Sequence, residues 1–254
     1  MKILATYTFK SSGNPVGRGI HLKLVSKLEA SAPTLASSIA SQLRTRITNG
    51  EIAPGEKLRL EELRVTFGVS LSPLREALSR LAAEGFVVVE DQRGYRVMPV
   101  SRQNLEEVTV LRCQMEGFAL REAIRLGDDH WEGEIVAALY RLNKIEKMQV
   151  GDARIEQWEA AHRALHQKLL SACGMPLLLH FCTTLHDLSD RYRRLFLADH
   201  AVDRDVRQEH MDICHATVER RADDACRLLR SHIERTGANV LRTLIDRQAE
   251  AAPA

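Results

Sequence analysis

The order of elements predicted over residues 34–98 constrains this chain more than any other feature. An apolar residue recurs every four positions from 35 to 47, which predicts a helix with one apolar face that ends at Asn49-Gly50. The residues of this stripe are Leu35, Ile39, Leu43 and Ile47. After a tight turn, a shorter helix is predicted from Glu61 to Phe67, closed by Gly68.

A third helix and a hairpin complete this region. Ser72-Pro73 has the pattern of an N-cap followed by proline at the first helical position, and Gly85 is placed to end that helix. Two β-like runs follow, Phe86–Val89 and Tyr95–Met98, and the residues between them predict a turn. This order of elements is the outline of a winged helix-turn-helix, a module that binds DNA. We assign it residues 32–98.

The charge distribution agrees with a polyanionic partner at this end of the chain. The first 100 residues carry 14 Lys and Arg against 9 Asp and Glu, whereas the rest carry 22 against 25. Residues 1–31 contain five Lys or Arg, one Glu and several Ser, Gly and Pro residues. They predict a flexible basic arm.

The remainder of the chain is predicted to be a helical bundle. Residues 99–104 predict a linker, and residues 105–250 have helical periodicity broken near four turn-like segments, which gives six or seven helices. Aromatic residues make up only 5% of the chain, so a mainly α fold is favoured over a β-sandwich. No apolar run approaches the ~20 residues of a membrane span, and no secretory signal is evident, so we expect a cytoplasmic protein without membrane contact.

Four histidines lie on apolar faces of the predicted helices. His162 and His166 are one helical turn apart on one segment, and His210 and His232 lie on two others. A single histidine in such a setting is usually a core residue with satisfied hydrogen bonds. Four on three inward faces also suit a metal site, because a pair at i and i+4 can present both rings to one ion. Core packing and metal binding are both open at this point.

The sequence from Ser41 to Val97 resembles the DNA-binding domain of GntR-type bacterial transcription regulators. Its matching features include Pro54-Gly55, the run "FGVS", "REAL", "EGF" and Arg93-Gly94. The resemblance implies that the proline-started helix enters the major groove and that the hairpin wing contacts the backbone or the minor groove. The residues carried over as DNA contacts are Ser70, Ser72, Pro73, Arg75, Arg93 and Gly94.

Arg75 is the residue expected to contact base edges or phosphates, and Ser70 and Ser72 are expected to donate to phosphates. The family usually has Ser-Arg-Thr-Pro where this chain has Ser70-Leu71-Ser72-Pro73. An arginine that often contacts guanine is therefore absent, and an operator sequence cannot be borrowed from other members. A solvated surface arginine is the alternative for Arg75.

Residues 105–250 resemble the all-helical FCD domain of the FadR branch of this family. Metal-binding members use an Asp or Asn, a His four residues later and two further His, and the corresponding positions here are His162, His166, His210 and His232. At the first position histidine replaces the usual carboxylate. Four neutral imidazoles would leave the full charge of a divalent ion, which suits an anionic effector. Imidazole ligands favour Zn²⁺ or Ni²⁺.

Within this branch, "AHRALHQKLLSACG" and "LSPLREALSRLAAEGF" are most similar to the carbon-starvation-induced, glutarate-responsive repressors. The resemblance implies a homodimeric repressor that binds a palindromic operator and is released by glutarate or another C4 to C6 dicarboxylate. Arg112 is the predicted effector anchor, and His186 and the Arg191–Arg194 run are further polar candidates. For that run a solvated helix face is an equally good interpretation.

Two other function classes remain to be compared with a regulator. A metal-dependent hydrolase is disfavoured because His162-Arg-Ala-Leu-His166 lacks the general-base glutamate of His-Glu-x-x-His, and no phosphate loop or serine elbow occurs. We therefore predict that the chain is not an enzyme. A constitutive DNA-binding regulator with a purely structural metal stays open.

Overall fold

The computed structural model describes residues 34–91, 93–146, 152–197 and 205–250. The fold is mainly helical, with a winged helix-turn-helix followed by a helical bundle, as the sequence predicts. The predicted basic arm, residues 1–31, lies outside the described residues.

The winged helix-turn-helix consists of three helices and a small antiparallel sheet. In chain order these are α1 (Leu35–Thr48), β1 (Lys57–Leu58), α2 (Leu60–Phe67), α3 (Leu71–Ala83), β2 (Val87–Glu90) and β3 (Gly94–Val97). The predicted hairpin is β2 and β3, in which Val87 pairs with Val97 and Glu90 with Gly94. The short strand β1, which sequence periodicity did not predict, adds to the other edge of β3. The helices and sheet enclose a core of Ile, Leu, Val, Ala and Phe side chains.

Two local predictions in this domain are wrong. Leu35 is predicted to belong to the apolar face of α1, but it is 56% exposed. The four-residue spacing drifts by about 40° per step on a helix of 100° per residue, so Leu35 lies about 120° from Ile47. Helix α3 begins at Leu71 with Ser70 as its N-cap, not Ser72. Pro73 is still tolerated, because the first four N–H groups of a helix have no intrahelical acceptor to lose.

The second domain contains six α-helices in its described part, within the predicted range. They are α4 (Arg102–Leu126), α5 (Asp129–Glu146), α6 (Asp152–Leu170), α7 (Pro176–Leu197), α8 (Val206–Val218) and α9 (Ala222–Glu250), with a 3₁₀ turn at Ser171–Cys173. Helix α4 begins inside the segment predicted as a linker, because Ser101 caps it by accepting the Asn104 N–H at 3.1 Å. Each helix in the described segments is too polar or too short to cross a lipid bilayer.

Candidate nucleic-acid interface and metal centre

The first turns of α3 present the predicted DNA contacts to solvent. Ser70, Ser72 and Arg75 are exposed, whereas Leu74 and Leu78 of the same helix are buried in the domain core. Arg75 forms no ion pair with any residue in the described ranges, unlike Arg80 farther along the helix, which pairs with Glu76 at 2.5 Å. The Arg75 guanidinium is therefore available to an external anion.

The tip of the β2–β3 hairpin carries the second set of predicted contacts. Arg93 is exposed, and Gly94 follows it with φ +96°, a left-handed conformation that glycine adopts without steric cost. A side chain on Gly94 would strain this turn. The tip therefore presents a cation on a tight bend, an arrangement that suits contact with a phosphate backbone.

The four predicted histidines meet at the centre of the bundle. His162 and His166 come from α6, His210 from α8 and His232 from α9, and all four are at most 5% exposed. We call these four residues the histidine cluster. One ligand nitrogen from each ring can be chosen so that all lie within 4.8 Å of one another. Four nitrogens at 2.0–2.1 Å from a tetrahedral ion are about 3.4 Å apart, so the nitrogens would have to approach one another by at most about 1.4 Å to hold one.

The hydrogen-bonding state of His166 fits a metal ligand. Neither ring nitrogen has a hydrogen-bond partner among the described residues, and the side chain is buried. Two unsatisfied nitrogens on a buried ring are costly, and a bound cation would satisfy one of them. Burial also lowers the pKa of His166 and His162 well below the ordinary value. Both rings are therefore neutral, which is the form that binds metal.

Polar neighbours contact two other rings of the cluster, those of His162 and His232. His232 Nδ1 lies 2.8 Å from a Glu209 carboxylate oxygen, a contact that fixes the orientation of the ring. Arg193 Nη1 lies 2.8 Å from His162 Nδ1. A positive group thus touches one of the predicted ligands. The side chain of Trp158 stacks on His162 with ring centroids 4.7 Å apart.

A fifth buried histidine, His186 on α7, adjoins the cluster. Its ring centroid is 5.2 Å from that of His166 and 5.8 Å from that of His162. Burial lowers the pKa of His186 to about 3, although Asp190 opposes the shift. From the sequence, His186 is predicted only as a polar group that could contact an anionic effector. Its place beside the cluster depends on how α7 crosses α6, which sequence periodicity does not determine.

Arg112 is buried and already carries a carboxylate partner. Its Nε donates to Glu116 at 2.6 Å, its Nη1 donates to Ser189 at 2.9 Å, and its Nη2 lies 3.2 Å from His186 Nδ1. Burial and the Glu116 carboxylate act on the guanidinium in opposite directions, and the net result is a raised pKa. An incoming anion would therefore have to share Arg112 with Glu116.

A cavity of about 220 Å³ opens beside the cluster. Glu116, His166, His186 and Thr183 supply polar groups to its wall, and most of the remaining surface is apolar. The complete lining is Glu116, His166, Gln167, Leu170, Ser171, Leu179, Cys182, Thr183 and His186. A small molecule with a polar end could reach His166 from this cavity.

The Arg191–Arg194 run is not a solvated helix face, which corrects one of the two interpretations given above. Arg191 and Tyr192 are each 1% exposed, and Arg193 is 7% exposed. Arg193 pairs with Glu159 and, at 2.7 Å, with Asp190. Burial opposes the ionisation of Asp190, but its cationic neighbours, Arg193 first among them, lower its pKa below the ordinary value. No local sequence pattern indicates the Glu159 partner, because Glu159 lies on another helix, α6.

Comparison with known proteins agrees with both domains. Residues 35–97 match the family model described as "Bacterial regulatory proteins, gntR family", and residues 107–235 match the FCD domain model. Two curated relatives are each 33% identical. The uncharacterised HTH-type transcriptional regulator BphR of Paraburkholderia xenovorans aligns over 81% of this chain and 84% of its own length. The HTH-type transcriptional repressor GlaR of Escherichia coli aligns over 75% of this chain and 89% of its own length.

A solved structure has the same architecture. The structure titled E. coli McbR/YncC superposes with a TM-score of 0.70 at 20% sequence identity, and it covers 83% of this chain and 99% of its own. At this identity the likeness concerns the fold alone.

Proposed function

Because this chain belongs to the GntR family of bacterial regulatory proteins and carries an FCD domain, we propose that it is a metal-containing repressor that a small dicarboxylate releases from DNA. The family consists of DNA-binding transcription regulators, which confirms the prediction that the chain is not an enzyme. Since the DNA of a bacterium lies in its cytoplasm, we expect the protein to act there.

The observation that carries the metal part of the proposal is the histidine cluster. Four buried rings from three helices converge, and His166 has two nitrogens without hydrogen-bond partners among the described residues. His162, His166, His210 and His232 would hold the ion, and Zn²⁺ or Ni²⁺ fits an all-imidazole set best. When bound, the metal supplies a positive charge to which a carboxylate can bind.

Three features support a dicarboxylate as the effector. Neutral imidazoles leave the two positive charges of the ion uncompensated, the neighbouring cavity admits a small molecule, and Arg112 and Arg193 add cationic groups at the site. Glutarate is the first ligand to test. A ligand that prefers the DNA-free form about a hundredfold would shift the equilibrium by roughly 2.7 kcal/mol per site.

DNA binding is proposed to use two copies of the chain. One recognition helix spans only a few base pairs, so a homodimer on a palindromic operator doubles the contacts. With an operator selected in vitro by the wild-type protein, Arg75→Ala should reduce affinity at least tenfold. Arg80→Ala is the matched control, because Arg80 lies in the last turn of α3 and already pairs with Glu76. Wild-type affinity in Arg75→Ala would contradict the assignment of α3 as the recognition helix.

The effector proposal is tested by calorimetry and gel shift with the metal-loaded protein. Glutarate should bind and weaken operator binding, and a monocarboxylate of similar length is the control. The constitutive alternative has one observation in its favour, since Glu116 already compensates the charge of Arg112. It would be correct if no dicarboxylate at millimolar concentration changed operator affinity while Zn²⁺ still raised the melting temperature.

A further inference from the structure

Helix α7 contacts both the winged helix-turn-helix and the centre of the bundle. Leu188 packs against the core of the DNA-binding domain, and Arg191 donates to the Met98 carbonyl just after β3. From the same helix, His186 and Arg193 reach the histidine cluster. A change at the cluster can therefore reach the DNA-binding domain through one rigid element.

Charged side chains form a chain of contacts along this route. Starting at the histidine cluster, its members are Arg193, Asp190, Arg163, Asp187, Arg44 and Glu84, and we call them the ion-pair relay. Arg193 contacts His162 Nδ1 at 2.8 Å and Asp190 Oδ1 at 2.7 Å. Arg163 contacts the other oxygen of Asp190 at 3.0 Å and also pairs with Asp187.

The far end of the ion-pair relay enters the DNA-binding domain. Asp187 Oδ2 lies 4.0 Å from Nε of Arg44, which belongs to α1. The same Nε donates to Glu84 Oε2 at 2.9 Å. Glu84 is the C-cap residue of α3, the helix whose first turn carries the predicted DNA contacts. A movement of Arg44 therefore acts directly on the end of the recognition helix.

The ion-pair relay has two possible pairings because its middle members are shared. Arg163 divides its guanidinium between two aspartates, and Asp187 divides its carboxylate between Arg163 and Arg44, the second contact being long. If Arg193 leaves Asp190, the uncompensated Asp190 attracts Arg163 more strongly. Asp187 is then free to close on Arg44, which must loosen its contact with Glu84.

We propose that the ion-pair relay transmits the state of the histidine cluster to the recognition helix by this exchange of partners. The inference rests on the proposed function for its trigger, a carboxylate that competes with Asp190 for Arg193. Arg163, Asp187 and Arg44 are positioning residues, since their side chains pair with other members of the ion-pair relay and not with the histidine rings. Allosteric coupling requires such a two-state element, and its signature is non-additivity between its two ends.

The test imitates the trigger by substitution and therefore needs no effector. Operator affinity of the full-length chain is measured by fluorescence anisotropy for wild type, Arg193→Gln, Asp187→Asn and the double variant, on an operator selected with the wild-type protein. Arg193→Gln should weaken binding about tenfold, whereas in the Asp187→Asn background the same change should weaken it less than threefold. Asp187→Glu should restore the tenfold effect, because it keeps the carboxylate.

Equal weakening by Arg193→Gln in both backgrounds would overturn the ion-pair relay, and so would an Arg193→Gln variant that binds DNA like wild type.

Arg163→Gln provides a second cycle with Asp187→Asn if the Arg193 variants do not fold, since the Arg163 side chain is 30% exposed. In that cycle the two changes should be non-additive, and additivity would overturn the proposal. Glu134→Gln breaks a half-exposed ion pair with Lys168 outside the ion-pair relay and should combine additively with every variant. Because no ligand is added, failure of the dicarboxylate proposal is detected separately, in the glutarate titration.

Discussion

The core of the winged helix-turn-helix and the centre of the bundle differ in the polarity of their buried side chains. The first is almost entirely apolar, with residues such as Leu43, Leu74 and Phe86 at 0% exposure. The second encloses imidazoles, guanidinium groups and carboxylates at almost the same degree of burial. Apolar packing stabilises a domain without further requirements, whereas buried polar groups must be paired or must bind something. The difference supports the proposal that one domain binds DNA at its surface and the other binds a ligand in its interior.

The largest expected effect comes from removing a predicted metal ligand. Zn²⁺ at a thousand times its dissociation constant should stabilise the wild-type protein by about 4 kcal/mol. His210→Gln should lose most of this stabilisation, because three ligands hold the ion less well. Thermal unfolding with and without Zn²⁺ measures the difference. His215→Gln is the control, since His215 lies on the same helix and its side chain is 70% exposed; equal responses of the two variants would contradict the assignment.

A cavity in the apolar core should reduce stability without affecting metal. Leu78 is fully buried in α3, and Leu78→Ala should cost about 3 kcal/mol in the free energy of unfolding. Urea unfolding provides the measurement, and Val65→Ala, at a position 74% exposed, should change stability by less than about 0.5 kcal/mol. Metal content should remain that of wild type. Loss of metal in Leu78→Ala would show that the two cores are not independent.

Acid should destabilise the metal-free bundle. Burial lowers the pKa of His162 and His166 well below the ordinary value and that of His186 to about 3. These rings therefore stay neutral in the folded state at a pH below about 6.5, where the histidines of the unfolded chain bind protons. The free energy of unfolding is therefore fully retained above about pH 6.5 and decreases as the pH falls below it. At pH 5.5 His186 alone should cost roughly 1 kcal/mol, and His162 and His166 should add to the loss.

Urea unfolding of chelator-treated protein at pH 7.5 and 5.5 measures this loss. Residues 34–98 contain no histidine, so the effect should originate in the bundle. Equal stability at both pH values would contradict the neutral, buried state of these rings.

The smallest expected effect concerns the first position of the histidine cluster. His162→Asp should retain metal, since carboxylates also bind Zn²⁺. It should weaken glutarate binding about fivefold, because the added negative charge reduces the attraction for a carboxylate. Calorimetry on the metal-loaded variant gives the ratio. Tighter glutarate binding than in wild type would contradict the electrostatic argument.

Features with local sequence patterns could be predicted, whereas features set by tertiary contacts could not. The predicted stripe placed α1, and Gly68 marked the end of α2. The convergence of the histidine cluster follows from inward faces on three helices. By contrast, the start of α3 at Leu71 was missed, because Ser70 and Ser72 are both good N-cap residues.

The buried charged residues of the bundle show more clearly that local sequence patterns do not predict tertiary contacts. Sequence periodicity marks a charged residue as polar, and polar residues are normally assigned to the surface. Arg193 pairs with Glu159 and Asp190 pairs with Arg163, both on α6, and no local pattern records such a pairing between helices. The ion-pair relay could therefore be recognised only from the folded structure.

The four converging histidines are proposed to hold a divalent metal. Elemental analysis of the untagged, full-length protein, purified without chelators, tests it most directly, together with the melting temperature before and after addition of Zn²⁺. We expect about one transition-metal ion per chain, and a large rise in melting temperature when metal-stripped protein receives Zn²⁺. Protein without metal whose melting temperature does not respond to Zn²⁺ or Ni²⁺ would show instead that His162, His166, His210 and His232 are core residues.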